Sequence, residues 1–156
     1  MKKALIVMGC ILGGIVLLLM FMGVLIESGT LPDTVVRKWE LVPPDARVQI
    51  ENMVGVMEDE TFKFFYTDHP FSYTANGYLV TDQRLIAYEK THDDVIVMDC
   101  AYEDIEEIEI EEGTSFIEDT QLLVFPKDQE EGFKLLLSAD ESGDTLAIRY
   151  IENKLE

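Results

Sequence analysis

The stretch Gly77–Lys90, GYLVTDQRLIAYEK, contains two apolar runs, GYLVT (77–81) and RLIAYEK (84–90), parted only by Asp82-Gln83. Short runs rich in β-branched and aromatic residues, separated by polar turn residues, read as consecutive strands. The same spacing recurs on both sides. Upstream, TFKFFYT (61–67) changes to period two, which predicts Phe62, Phe64 and Tyr66 on one face and Lys63 and Phe65 on the other. DHP (68–70) turns the chain before FSYTA (71–75), and Asn76-Gly77 offers a tight hairpin turn. Downstream, THDD (91–94) interrupts the chain before VIVMDCAY (95–102), and QLLVF (121–125) and FKLLLSA (133–139) are joined by PKDQEEG.

Between these runs lies YEDIEEIEIEEG (102–113), in which seven of twelve residues are carboxylates. Ile105, Ile108 and Ile110 punctuate it, so it reads as structure and not as an acidic tail. Tyr102 to Ile105 is expected to form a turn or short helical step. Ile108 and Ile110 then face the core, with Glu107, Glu109 and Glu111 sharing the solvent face of one strand. The whole predicts an antiparallel meander of about seven strands, curled into a small barrel or sandwich.

Helical periodicity flanks the strands. After Pro44-Asp45, the residues Ile50, Met53, Val54 and Met57 follow the i, i+3, i+4, i+7 spacing of an amphipathic helix. At the other end, Asp140 to Asp144 supplies capping and acidic first-turn residues. Leu146, Ala147, Tyr150, Ile151 and Leu155 then mark one helical face, suited to plugging the open end of a barrel. The fold class is α+β.

Residues 4–26, ALIVMGCILGGIVLLLMFMGVLI, run for 23 positions without a charge. A bilayer core needs roughly 20 apolar helical residues. A single-span transmembrane helix is therefore expected, in preference to a cleaved secretory signal, whose apolar core is shorter. A lipobox-like VMGC ends at Cys10, but only a short apolar run precedes it. Lys2 and Lys3 precede the span, which by the positive-inside rule sends the body to the extracytoplasmic side. Gly9 and Gly13 form a small-xxx-small pair that could let two such helices pack as a homodimer, although glycines are common in membrane helices and need no such role. Trp39 is placed either at the membrane interface or over an edge of the body.

Cys10 and Cys100 are too far apart in the chain and too differently placed to suggest a disulfide, and neither belongs to a C-x-x-C pair. From Leu41 onward there are 28 acidic and 8 basic residues, a balance of −20. Such a surface repels nucleic acid and anionic headgroups, and favours cationic partners.

With GYLVTDQRLIAYEK, then YEDIEEIEI (102–110) and the final helix, the chain resembles bacterial pleckstrin-homology-like (PH-like) domains. The resemblance covers roughly residues 45–156. It comprises a strand, a Thr-Asp-x-Arg turn, a second apolar strand and a later Tyr-x-x-Ile step. It implies a PH-like barrel or sandwich capped by the C-terminal helix, used as a binding or scaffolding module, and it supplies no catalytic, cofactor or metal residues. In phosphoinositide-binding relatives basic side chains around the first hairpin grip phosphates. Here that hairpin carries Lys63, Asp68 and His69, which argues against that ligand.

The expected organisation is a short basic N-terminus (1–3), a transmembrane helix (4–26), a juxtamembrane linker (27–44) and a PH-like domain (45–156). The expected function is a membrane-anchored, non-catalytic module with a protein partner and no cofactor. Two other readings stand beside it. If the turns carrying His69 and His92 met, Asp68, His69, His92, Asp93 and Asp94 would offer zinc ligands for a metal-dependent enzyme. A lipid or small-molecule carrier would instead show a cavity lined by Phe62, Leu79 or Leu135. The segment DESGDTLAIRYI (140–151) fails as a calcium loop, because Thr145 and Ile151 stand where glycine and glutamate are needed.

Overall fold

In the computed structural model of the chain, the apolar runs pair into two antiparallel sheets. Residues 2–28, 31–32, 35–113, 118–127, 129 and 131–156 are described. The first sheet has the order β1 (Arg37–Lys38), β2 (Phe62–Tyr66), β3 (Asn76–Thr81), β4 (Arg84–Lys90) and β5 (Val95–Ala101). The second is β6 (Ile105–Glu111), β7 (Thr120–Pro126) and β8 (Phe133–Leu137). Three helices accompany them: α1 (Lys2–Glu27), α2 (Pro44–Val54) and α3 (Gly143–Leu155).

Of the barrel or sandwich expected, the sheets do not close into a barrel. Among the described residues no ladder joins the two sheets, because the chain leaving β5 enters a 3-10 turn at Tyr102–Asp104 and starts β6 in the other layer. The result is a sandwich. Its inner core joins Tyr66, Val80, Leu85 and Cys100 of the first sheet to Leu122, Val124 and Leu135 of the second, with Ala147 and Ile151 of α3 closing it.

A second core lies on the opposite face of the first sheet. Trp39, Val42, Ala46, Ile50 and Val54 pack there against Phe62, Phe65, Leu79 and Ile86. Trp39 stacks on Phe62 with ring centroids 4.8 Å apart, so it covers the body. Burial of both faces explains why β4 reads as an almost continuous apolar run. In α2 the buried positions are Ala46, Ile50 and Val54. Met57 lies beyond the helix, which ends at Gly55 with φ +67°, a conformation that favours glycine.

Three details depart from the sequence reading. A β-bulge between Phe62 and Phe64 adds a residue to β2. Phe62 therefore joins Phe65 in the outer core, while Phe64 and Tyr66 face the inner one. Asn76-Gly77 is not a turn but the start of β3, paired with Glu89 and Tyr88. Finally, Ile108 packs on the inner core, but Ile110 is 39 % exposed. β6 also bulges between Ile105 and Glu107.

Among the described residues no helix is long and apolar enough to cross a membrane. The expected single-pass membrane localisation, with residues 4–26 in the bilayer and the body outside, is thereby overturned.

Gly77 yields a direct test of the packing. A Cβ there would stand 2.7 Å from Phe65 Cε2 and from Tyr88 Cε1 and its hydroxyl. Those rings are pinned in the outer core, and the Tyr88 hydroxyl donates to Tyr73 O at 2.8 Å. Gly77→Ala is expected to destabilise the fold by about 1–3 kcal/mol, measured by urea denaturation. An unchanged midpoint would contradict the packing.

Candidate binding surface

The Thr-Asp-x-Arg turn organises one end of the sandwich. The Thr81 hydroxyl accepts from the amides of Gln83 and Arg84 and donates to Arg84 O. Asp82 accepts from the Thr61 amide at 2.7 Å, and its own amide donates to Thr61 O. The Gln83 side chain donates to Glu58 O, and the Tyr102 hydroxyl donates to Thr81 O.

Arg84 completes the assembly. Its guanidinium grips Glu60 through Nε and Nη2 at 2.9 and 3.0 Å, Asp99 at 2.7 Å and Gly55 O at 2.6 Å. It thus ties β4 to the edge strand β5 and to the segment after α2. Burial alone would raise the Glu60 carboxyl. The hydrogen bonds from Arg84 and the Met57 amide outweigh it and hold Glu60 below its ordinary 4.5.

Beside this turn opens the larger of the clefts, with a volume of about 630 Å³. Asp82 and Gln83 of the turn, Tyr102 and Glu103 of the 3-10 turn, Lys127 after β7 and Lys154 of α3 border it. Met57, Ile105 and Leu155 give it apolar surface. Met57 is 47 % and Leu155 43 % exposed. Lys127 Nζ donates to Glu103 O, a neutral backbone oxygen, at 2.5 Å.

A smaller hollow of about 200 Å³ lies where β1 and β2 meet α3, lined by Lys38, Glu40, Lys63, Phe64 and Tyr150. Phe64 and Tyr150 meet edge to face, with centroids 5.9 Å apart at 67°. Lys154 Nζ stands 5.8 Å over the Tyr150 ring. Sequence reasoning missed this group because its members come from three distant segments. No spacing signal connects them.

The sequence-derived metal candidates are not brought together. Among the described residues no group of three or more His, Cys, Asp or Glu is placed to hold a metal ion. The His69 ring is engaged in its own turn, where Nδ1 accepts from the Phe71 amide. His92 lies in the separate turn between β4 and β5. Leu79 and Leu135 are fully buried in different cores, on opposite sides of the first sheet. They cannot line one carrier cavity. Cys10 and Cys100 are free thiols. Burial, with Asp104 and Asp99 nearby, raises the thiol of Cys100 above its ordinary 9.0.

Other buried polar groups brace the frame. The Tyr66 hydroxyl donates to both oxygens of Asp119 at 3.0 and 2.9 Å. Burial pushes the Asp119 carboxyl above 3.8; the Tyr66 hydrogen bond opposes this and neighbouring Asp68 adds to it. Thr120 donates to Asp144 at 2.7 Å, tying β7 to the first turn of α3.

No family model matches the sequence, and no curated protein matches it. Among solved structures, a DUF1696 family protein with a pleckstrin-homology domain from Shewanella loihica PV-4 aligns with TM-score 0.56 at 18 % identity, covering 78 % of this chain and 98 % of that one. A pleckstrin homology domain from Shewanella amazonensis SB2B aligns with TM-score 0.48 at 17 % identity, over 70 % and 97 % of the two chains. The Vps36 N-terminal PH domain aligns with TM-score 0.41 at 19 % identity, over 64 % and 85 %. The first of these shows that the chain has a PH-like fold.

Two pH responses follow from these groups. Glu60 is depressed, so its contribution to stability is complete above about pH 4.5 and is lost as pH falls through its folded value. Arg84→Met should cost about 3 kcal/mol at pH 7, since it strands the buried Glu60 carboxylate. That gap should narrow below pH 4.5 as Glu60 takes up a proton. Urea titrations of both proteins from pH 3 to 8 check this, and a gap independent of pH would contradict it.

At the alkaline end, burial raises Tyr66, Tyr88, Tyr102 and Tyr150, and pushes Tyr78 up to about 12. Their stabilisation is complete below the ordinary value of 10.0 and is lost as pH rises through the folded values. Tyrosinate absorbance should therefore rise together with the loss of circular dichroism. Ionisation near pH 10 with the sheet signal intact would contradict the burial.

Proposed function

We propose that this chain is a non-catalytic PH-like binding module that docks a protein segment in the cleft between Met57, Tyr102, Lys127 and Leu155. The observation that carries the reading is the composition of that cleft. Exposed apolar side chains stand beside two lysines in a chain of net charge −19. Its volume is within the roughly 300–1,000 Å³ of ligand sites, but it lies open along the protein surface. A shape of that kind suits an extended or helical segment better than an enclosed metabolite. One wall belongs to the braced turn around Thr81 and Arg84, so that side of the surface is formed before a partner arrives, which lowers the ordering cost of binding.

Support for a non-catalytic role comes from how the polar groups are used. Arg84, Glu60, Asp119 and Asp144 hold strands, helix ends and loops together, and none of them reaches the cleft.

The test uses the full chain with a photo-crosslinking benzoylphenylalanine at Leu155, and a control at Val48, which is exposed on α2. The reading predicts one discrete adduct from position 155 in native lysate, absent from position 48. Met57→Asp should remove that adduct while leaving the melting temperature unchanged. Identical adduct patterns from both positions, or insensitivity to Met57→Asp, would overturn it.

A further inference from the structure

We infer that the hollow between β1, β2 and α3 is a carboxylate-binding subsite for an acidic side chain of a bound protein segment. This deepens the docking reading and rests on it. The chain has 12 basic residues against 31 acidic ones, yet three lysines from separate segments converge on one aromatic pair. Lys38 and Lys63 line the hollow beside Phe64 and Tyr150, and Lys154 lies over Tyr150. The β1–β2 register sets Lys38 directly opposite Phe64. The bulge between Phe62 and Phe64 displaces Lys63 from the regular alternation.

Among the described residues none of the three lysines is paired with a carboxylate in the way that Arg84 is paired with Glu60 and Asp99. Two acids face the same region. Glu40 lines the hollow, and Asp82 is close enough for Lys63 to lower its carboxyl, although burial opposes that and the Thr61 hydrogen bonds contribute. The three lysines and two acids leave one positive charge in excess, which matches a monoanion. A carboxylate fits that balance, whereas a doubly charged group meets Glu40, Asp82 and the field of an acidic chain.

Size points the same way. At about 200 Å³ the hollow is smaller than the usual small-molecule site and admits one side chain. The half-buried rings of Phe64 and Tyr150 offer apolar contact to its methylene or aromatic part. Position supplies the link to the larger cleft, because Lys154 borders that cleft and also caps the Tyr150 ring. A segment lying in the cleft and passing α3 would deliver an acidic residue to the lysines.

The experiment is a titration of the isotope-labelled full chain, followed by NMR, with N-acetyl-phenylalaninate, its neutral amide and inorganic phosphate as probes. The carboxylate should give saturable shifts at Phe64, Tyr150 and their neighbours, and bind at least about tenfold tighter than the amide. Lys63→Glu and Lys38→Glu should each weaken it about tenfold or more, while Lys63→Arg retains binding. Lys134→Glu on β8, outside the hollow, should change nothing. Equal affinity for the amide, indifference to both glutamate variants, or phosphate binding as tightly as the carboxylate would overturn the subsite. Loss of probe binding in the native chain with the Leu155 crosslink intact would sink this inference alone. A mapped carboxylate site with no crosslink at 155 would sink the docking reading instead.

Discussion

Arg84 ties the chain between α2 and β2 to the β4–β5 pair, a link that no backbone ladder supplies among the described residues. One guanidinium bridges the carboxylates of Glu60 and Asp99 and the carbonyl of Gly55. The planar fork of arginine can serve two carboxylates and a carbonyl at once, which a lysine ammonium cannot do with the same geometry. Around it, Thr81 closes the hairpin and Asp82 stitches it to Thr61. The cost of burying Arg84 and Glu60 is offset by their pairing, and the arrangement holds the chain after α2 against the sheet. Asp82, Gln83 and Tyr102, which form one side of the larger cleft, are positioned from this turn.

That anchoring lets the N-terminal part of the body work as a second layer. α2 and Trp39 cover the outer face of the first sheet, which becomes a wall between two cores. The second sheet lacks such a cover, and its β6 carries Glu107 and Glu109 outward, both exposed. One sheet is thus enclosed on both faces while the other meets solvent.

Much of this architecture is legible in the sequence, since period-two runs and helical spacing locate most strands and both helices of the body. What escapes is governed by contacts between distant residues. A bulge at Lys63 reverses the faces of Phe62 and Phe64, and nothing in TFKFFYT signals the extra residue. Asn76-Gly77 reads as a turn by local chemistry, but the rings of Phe65 and Tyr88 are what require a residue without Cβ at 77. The Thr-Asp-x-Arg motif was visible as a pattern, whereas its partners Glu60, Asp99 and Gly55 were not. The candidate sites were less legible still. The His69 and His92 turns carry zinc-ligand residue types in sequence but form no metal-holding group among the described residues, while Lys38, Lys63 and Tyr150 carry no shared spacing at all.

The most direct test of the account is a double-mutant cycle between Glu60 and Arg84, using Glu60→Gln and Arg84→Met at pH 7. If the clamp organises this end of the sandwich, the two substitutions are strongly non-additive, with a coupling of about 2–3 kcal/mol, the upper part of the range for residues in one polar network. Additive effects, within about 0.5 kcal/mol, would mean that the strands and the segment after α2 hold their places without it, and would contradict the account.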